Sequence, residues 1–142
     1  MSYEAPYRGL RVVDLSQGIA GPYAAMLLAQ YGADVIKVEP PDGDWARISI
    51  AVDLKTVEGR EIVRRLIAGA DVFLEGFRPG VATRLGFAYG DVAAINPATI
   101  YVSVSGFGQS GPESQRPAMD PILQAFTGLI ANNRGPDGIP TA

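Results

Sequence analysis

Residues 10–39, LRVVDLSQGIAGPYAAMLLAQYGADVIKVE, decide the fold. Residues 11–15 form a short, mostly apolar run that carries Asp14 and is followed by Ser16, the length expected of a strand buried in a parallel sheet. Gly18 and Gly21 interrupt it, and Pro22 follows. Proline is accepted in the first turn of a helix because the N–H it lacks has no intrahelical partner there. Met26, Leu27, Leu28 and Tyr31 then recur at helical spacing, and Gly32 stands where a left-handed C-terminal cap is wanted. Residues 35–38 supply a second strand. Strand, crossover helix and strand make a βαβ unit, and the turn after its first strand is the edge at which open α/β sheets bind ligands.

Outward from this unit, residues 40–44 (PPDGD) form a turn-rich loop at the carboxyl end of the second strand. Residues 49–54 (SIAVDL) predict a short strand. Thr56 can cap a helix over 57–69, in which Val57, Ile62, Val63, Leu66 and Ile67 share one face and the charged residues lie largely elsewhere. Residues 71–75 (DVFLE) are a third core strand, and Arg78-Pro79-Gly80 starts a short helix through Val81, Arg84 and Leu85 up to Gly86. A brief helix over 89–95 is stopped by Asn96-Pro97, and TIYVSVS at 99–105 is the clearest strand, alternating and β-branched. Five strands interleaved with helices predict an α/β fold, an open, mainly parallel sheet with flanking helices. Residues 106–117 are a long exposed loop of the kind that carries function, and 120–129 a last helix. The end, NNRGPDGIPTA, has turn chemistry without a terminating element, and there is no internal repeat.

The chain of 142 residues fits one ordinary domain with a real core. Twelve basic residues against fifteen acidic ones give a net charge of −3. With a pI near 4.8 there is no basic field for nucleic acid or an anionic membrane, so neither is expected as a partner. Without cysteine there is no disulfide framework or thiolate metal site, and without histidine there is no imidazole base or ligand; no metal is expected. The first residues, MSYEAPYRG, carry no long apolar run, so neither a signal peptide nor a membrane span is read there, and the expected compartment is the cytoplasm.

A glycine turn leading into a helix N-terminus can hold a phosphate, and Glu39, about twenty residues on, could bind a ribose hydroxyl. As a dinucleotide fingerprint the turn is poor. Reading G-x-G-x-x-G from Gly18 needs glycine where Ala20 and Tyr23 stand. The spacing equally fits a tight βα turn with no ligand and a solvated Glu39, so both readings stay open here.

Longer motifs carry a more specific signal. DLSQGIAGP at 14–22, GADVIKVEPPDGD at 32–44, SIAVDLKTVEGR at 49–60, DVFLEGFRPGVATRLGF at 71–87 and YVSVSGFGQSGP with RPAMDPILQAFTGL after it occur in order over nearly the whole chain. Together they resemble the N-terminal part of the family III CoA-transferases. That group includes formyl-CoA, carnitine and bile-acid CoA-transferases and the related α-methylacyl-CoA racemase. The resemblance implies a Rossmann-like sheet binding coenzyme A, as an acyl-CoA substrate, in a family whose members are longer and form interlocked homodimers. It implies transfer of CoA from an acyl-CoA to a carboxylic acid.

Carried over position by position, the resemblance places Gly18, Ile19 and Ala20 beside the thioester and Pro40 after the second strand, where relatives often have a base for phosphate. Val52, Leu54 and Lys55 match a segment flanking the adenine end of CoA. Gly76, Phe77 and Arg84 fall on the nucleotide and phosphate path. A flat adenine needs apolar cover and a guanidinium suits phosphate oxygens. On their own residue types, Phe77 reads as core and Lys55 or Arg84 as solvated charge.

Three departures qualify the resemblance. Between Asp44 and Ser49 only Trp45, Ala46, Arg47 and Ile48 intervene, where relatives carry a longer loop ending in a basic pair, and Ile48 takes the last basic position. The family nucleophile, an aspartate in a Gly-Asp pair beyond a stretch like GPDGIPTA, is not reached by residue 142, so the expectation is a truncated N-terminal CoA-binding part lacking it. Finally, Met119 stands before Asp120 where the racemase branch has a histidine base. That favours the transferase branch, in which Asp120 lies near the reacting centre in a supporting catalytic role; Asp120 also reads as a helix N-cap. The alternatives are an acyl-CoA racemase, a non-catalytic nucleotide- or CoA-binding module and a dinucleotide oxidoreductase.

Overall fold

The computed structural model describes residues 5–43 and 49–139. They form two compact units, dividing after Val104. In the first unit, strand β1 (Arg11–Asp14), helix α1 (Ala20–Gln30) and strand β2 (Asp34–Glu39) realise the βαβ unit. Strand β3 (Ile50–Ala51), helix α2 (Val57–Ile67), strand β4 (Val72–Glu75), helices α3 (Val81–Leu85) and α4 (Tyr89–Ile95) and strand β5 (Ile100–Ser103) follow. The strands join in the order β3-β2-β1-β4-β5. Every pairing is parallel, with Asp14 opposite Lys37 across β1 and β2 and Val12 opposite Val72 across β1 and β4. The chain thus runs outward from β1 to β2 and β3, then returns to set β4 on the other side of β1.

A parallel sheet needs cover on both faces. On one face, Val13, Leu15 and Phe73 are buried with Val63 and Ile67 of α2, Val92 of α4, and Phe87 between α3 and α4. Phe73 packs a tilted ring on Tyr101 at 5.5 Å and on Phe87 at 6.2 Å between centroids. The other face carries α1, which buries only Gly21 and Ala25 and leaves Tyr23, Met26 and Tyr31 exposed. The apolar spacing seen in α1 therefore does not mark a single buried stripe.

Local chemistry sets the ends. At the end of α1, Gly32 adopts φ +98° while its N–H donates to the Ala29 carbonyl and that of Ala33 to Leu28, the paired bonds of a Schellman cap. Thr56 caps α2 by accepting the Gly59 N–H at 3.0 Å, with Glu58 in the first turn and Arg64 and Arg65 in the last, complementing the helix dipole. Helix α1 starts two residues before Pro22, which remains inside its first turn. The strand expected over 49–54 contracts to two residues. Val52 still donates its N–H to Glu39, but Asp53 then accepts the Lys55 N–H and turns the chain toward α2.

The second unit holds the long loop and helix α5 (Asp120–Thr127), ended by Gly128 at φ +76° and followed by a 3-10 helix over Leu129–Asn132. Loop meets helix where Phe107 packs edge-on against Phe126 at 5.1 Å and the Arg116 guanidinium lies over the same Phe126 ring at 5.5 Å. The N-cap position is Met119, not Asp120: the aspartate is the first helical residue, and its carboxylate accepts the Gln124 side-chain N–H at 2.5 Å. Among the described residues no helix is long and apolar enough to cross a membrane.

Candidate functional site

Because all five strands run the same way, the loops after β1, β2, β3 and β4 share the carboxyl edge of the sheet. Strand order reverses between β1 and β4, and ligands of open α/β sheets bind in the crevice that this reversal leaves. The loop after β1 contains Gly18, at φ +79°, and exposed Ile19; the loop after β4 contains Gly76 and Phe77.

Both strands end alike. Asp14 is 1 % exposed, and its Oδ1 accepts the Ser16 N–H at 2.7 Å and the Ser16 hydroxyl at 2.5 Å. Glu75 is 2 % exposed, and its Oε2 accepts the Phe77 N–H at 2.7 Å. Each carboxylate catches a backbone donor two residues on and bends the chain out of the strand. Lys37, opposite Asp14 on β2, sets its ammonium 3.4 Å from Asp14 Oδ2 and donates to the Ser16 carbonyl.

The two turns touch through glycine. A Cβ on Gly21 would lie 2.3 Å from Ser16 Cβ and Oγ, so that position must lack a side chain, and one on Gly76 would lie 3.2 Å from Ser16 Cβ, a tight contact; Ser16 is clasped between the two glycines. Beneath the β4 turn, the Tyr101 hydroxyl donates to the Phe87 carbonyl at 3.0 Å and lies 3.4 Å from Glu75 Oε1. Burial first, then the Glu75 carboxylate, push the Tyr101 phenol above the ordinary tyrosine range.

The residues singled out in the sequence divide accordingly. Gly18, Ile19 and Ala20 stand exposed at the switch point, with Gly76 and half-buried Phe77 across the crevice. Phe77 also packs against the core, so it serves both readings. Pro40 opens the loop after β2, where its carbonyl accepts the Gly43 N–H at 2.8 Å. Lys55 is exposed between β3 and α2, and Arg84 exposed in the last turn of α3. Val52 is 4 % exposed within the core cluster and Leu54 packs against it, so Val52 can flank a ligand only through its backbone. Asp120 is exposed and belongs to the second unit. The loop 45–48 with Ile48 lies outside the described residues. Among the described residues no group of three or more acidic side chains is arranged to hold a metal ion.

Sequence reading missed the Asp14–Ser16–Lys37 cluster and the turn-holding role of Glu75. A signal was present, since Asp14 and Lys37 are charges inside otherwise apolar strands, but pairing them needs the β1–β2 register.

Strand order, parallel pairing and a glycine turn at the switch point make this an α/β protein of the Rossmann-like class. The chain belongs to CoA-transferase family III, whose model matches residues 7–142. It is 41% identical over 159 residues to an acetyl-CoA:oxalate CoA-transferase of Acetobacter aceti, covering 97% of this chain and 41% of that protein. It is 37% identical over 163 residues to a succinate–glutarate CoA-transferase of Agrobacterium fabrum, covering 95% of this chain and 41% of that protein. Among solved structures, a CAIB/BAIF family protein from Brucella suis superposes with a TM-score of 0.88 at 38% identity, covering 96% of this chain and 43% of that one. The chain thus spans about two fifths of the length of the curated relatives it matches.

Proposed function

We propose that these 142 residues are the N-terminal, CoA-binding part of a CoA-transferase that moves CoA from an acyl-CoA to a carboxylic acid. The observation that carries this reading is the pairing of the Gly18 and Gly76 turns at the β1/β4 switch point, together with the family membership. Ile19 offers exposed apolar surface beside a turn able to approach a thioester closely, and Phe77 offers a half-buried ring for the nucleotide end. Lys55 and Arg84 are the cations assigned to phosphate oxygens. Asp120 is the residue to which the family resemblance assigns a supporting catalytic role.

In the full-length form, an aspartate carboxylate attacks the thioester carbon. The C–S bond breaks and leaves a mixed anhydride and the CoA thiolate. The thiolate attacks the aspartyl carbonyl of the anhydride, releasing the first acid and forming an aspartyl-CoA thioester. A second acid repeats the sequence in reverse, leaving as its own CoA thioester and restoring the carboxylate. That nucleophile is assigned to sequence following residue 142, and the homodimer and cytoplasmic placement belong to the same reading.

Calorimetric titration of this chain with CoA and with NAD tests the binding half. CoA binding in preference to NAD is expected, and equal or tighter NAD binding would overturn the reading in favour of a dinucleotide site.

A further inference from the structure

We infer that Asp14, Ser16 and Lys37 act as one positioning unit that holds residues 17–19 in their ligand-accepting shape. The inference rests on the CoA reading above and assigns to that site three residues buried beneath it.

Every polar group of Ser16 is engaged: its N–H and hydroxyl donate to Asp14 Oδ1, and its carbonyl accepts from the Lys37 ammonium. Its side chain is held between Gly21 at the start of α1 and Gly76 after β4. Immediately beyond this anchor the packing stops. Residues 17–20 are exposed, nothing lies within 4 Å of a Cβ on Gly18, and Ile19 is 73 % exposed. The path of the turn is therefore set at its two ends, by the Ser16 anchor before it and by α1 after it, where the Ile19 carbonyl accepts the Tyr23 N–H at 2.9 Å and Gly21 is buried.

The anchor is ionic, with Asp14 and Lys37 at 1 % and 5 % exposure. Burying such a pair gains little stability over an apolar pair of similar volume, because both ions lose their hydration. What an apolar pair could not supply is directional: one carboxylate oxygen takes two donors from Ser16 while the ammonium pulls on its carbonyl. A functional turn is held to within a fraction of an ångström by such supporting bonds.

The test uses Lys37→Met and Asp14→Asn in the 142-residue chain, with CoA as the titrated probe and the amide NMR signals of Gly18 and Ile19 as a report on the turn. Val92→Ala, in α4 beneath the opposite sheet face, is the comparator, with temperature adjusted so that all variants have lost the same margin of stability. The two site variants are expected to bind CoA about tenfold more weakly and to shift both amides, while the comparator does neither. CoA binding no weaker than in the comparator, or unshifted turn amides, would overturn the inference.

Should neither site variant fold, Ser16→Ala removes only the hydroxyl bond, and shifted or unshifted Gly18 and Ile19 amides then decide. A wild-type chain that binds no CoA sinks the proposed function itself. The amide comparison still tells whether the turn is braced.

Discussion

Tyr101 carries the pH dependence this fold should show. Its phenol is held neutral by burial and by Glu75, whereas in the unfolded chain it ionises near 10.0. Above that pH the unfolded state releases a proton that the folded state keeps, so the folded state binds more protons and stability falls as pH rises. Urea unfolding followed upward from pH 9 to pH 11 should show this decline, and Tyr101→Phe should flatten it. The buried pair makes a second demand at this scale. Lys37→Met strands the Asp14 carboxylate and should cost about 3 kcal/mol or more, read from the urea midpoint. The charges stood out in the sequence, but their partners did not. Asp14 and Lys37 lie 23 residues apart (37 − 14) and become neighbours only through the β1–β2 register, just as Tyr101 meets Glu75 only through β4 and β5. Gly18 was legible because glycine reports a backbone need on its own: its φ of +79° is one that other residues rarely adopt.

Elements were easier to foresee than contacts. Strands β1, β4 and β5 are short apolar runs between turn residues, and α2 has its cap, stripe and end charges in order, so local chemistry and tertiary packing agree there. Strand β3 was overextended because β-rich composition in 49–54 continues past the point where Asp53 bends the chain and Val52 enters the core. Asp120 misled as a cap because the helix begins one residue earlier than its side chain suggests, leaving Met119 in the cap position. Two substitutions separate these effects. Thr56→Ala removes one cap bond and should cost about 1 kcal/mol, lowering the melting temperature by roughly 4 °C. Gly32→Ala should cost more, since the new Cβ meets the Ala5 Cβ at 2.4 Å and φ is +98°. Thermal scans of the two proteins side by side would reverse that ranking if the Schellman cap were incidental.

On the scale of the whole molecule, apolar exposure sets the behaviour of the isolated chain. Tyr23, Met26 and Tyr31 on α1, and Ile122, Phe126 and Leu129 in the second unit, are each at least 40 % exposed, more than a settled surface normally leaves in clusters. Self-association that grows with concentration is expected in sedimentation velocity, weakened by Tyr23→Ser with Met26→Lys; a concentration-independent monomer would contradict it. The chain alone is also expected to transfer no CoA between acids. Cysteine and histidine are absent, and Asp120, proposed above for a supporting role only, has its carboxylate engaged by the Gln124 side chain. Incubation with acyl-CoA donors and carboxylate acceptors, with hydroxylamine added to intercept enzyme-bound acyl groups, checks this. Turnover abolished by Asp120→Ala would make Asp120 the nucleophile.

The placement of β4 beside β1 also fixes an order of events while the protein is being made. The Arg11 N–H and the Asp71 carboxylate, 2.8 Å apart, join residues 60 positions apart, and the β1–β4 ladder follows from there. A ribosome delivers β1 first and β2 soon after, but the second edge of β1 stays bare until β4 has emerged. Non-local parallel pairing of this kind is slow, and an unpaired apolar strand on an unfinished chain is open to the wrong neighbours. The crevice therefore matures late: its first wall is translated before β4, and that wall waits for the later strand before it can take its final form.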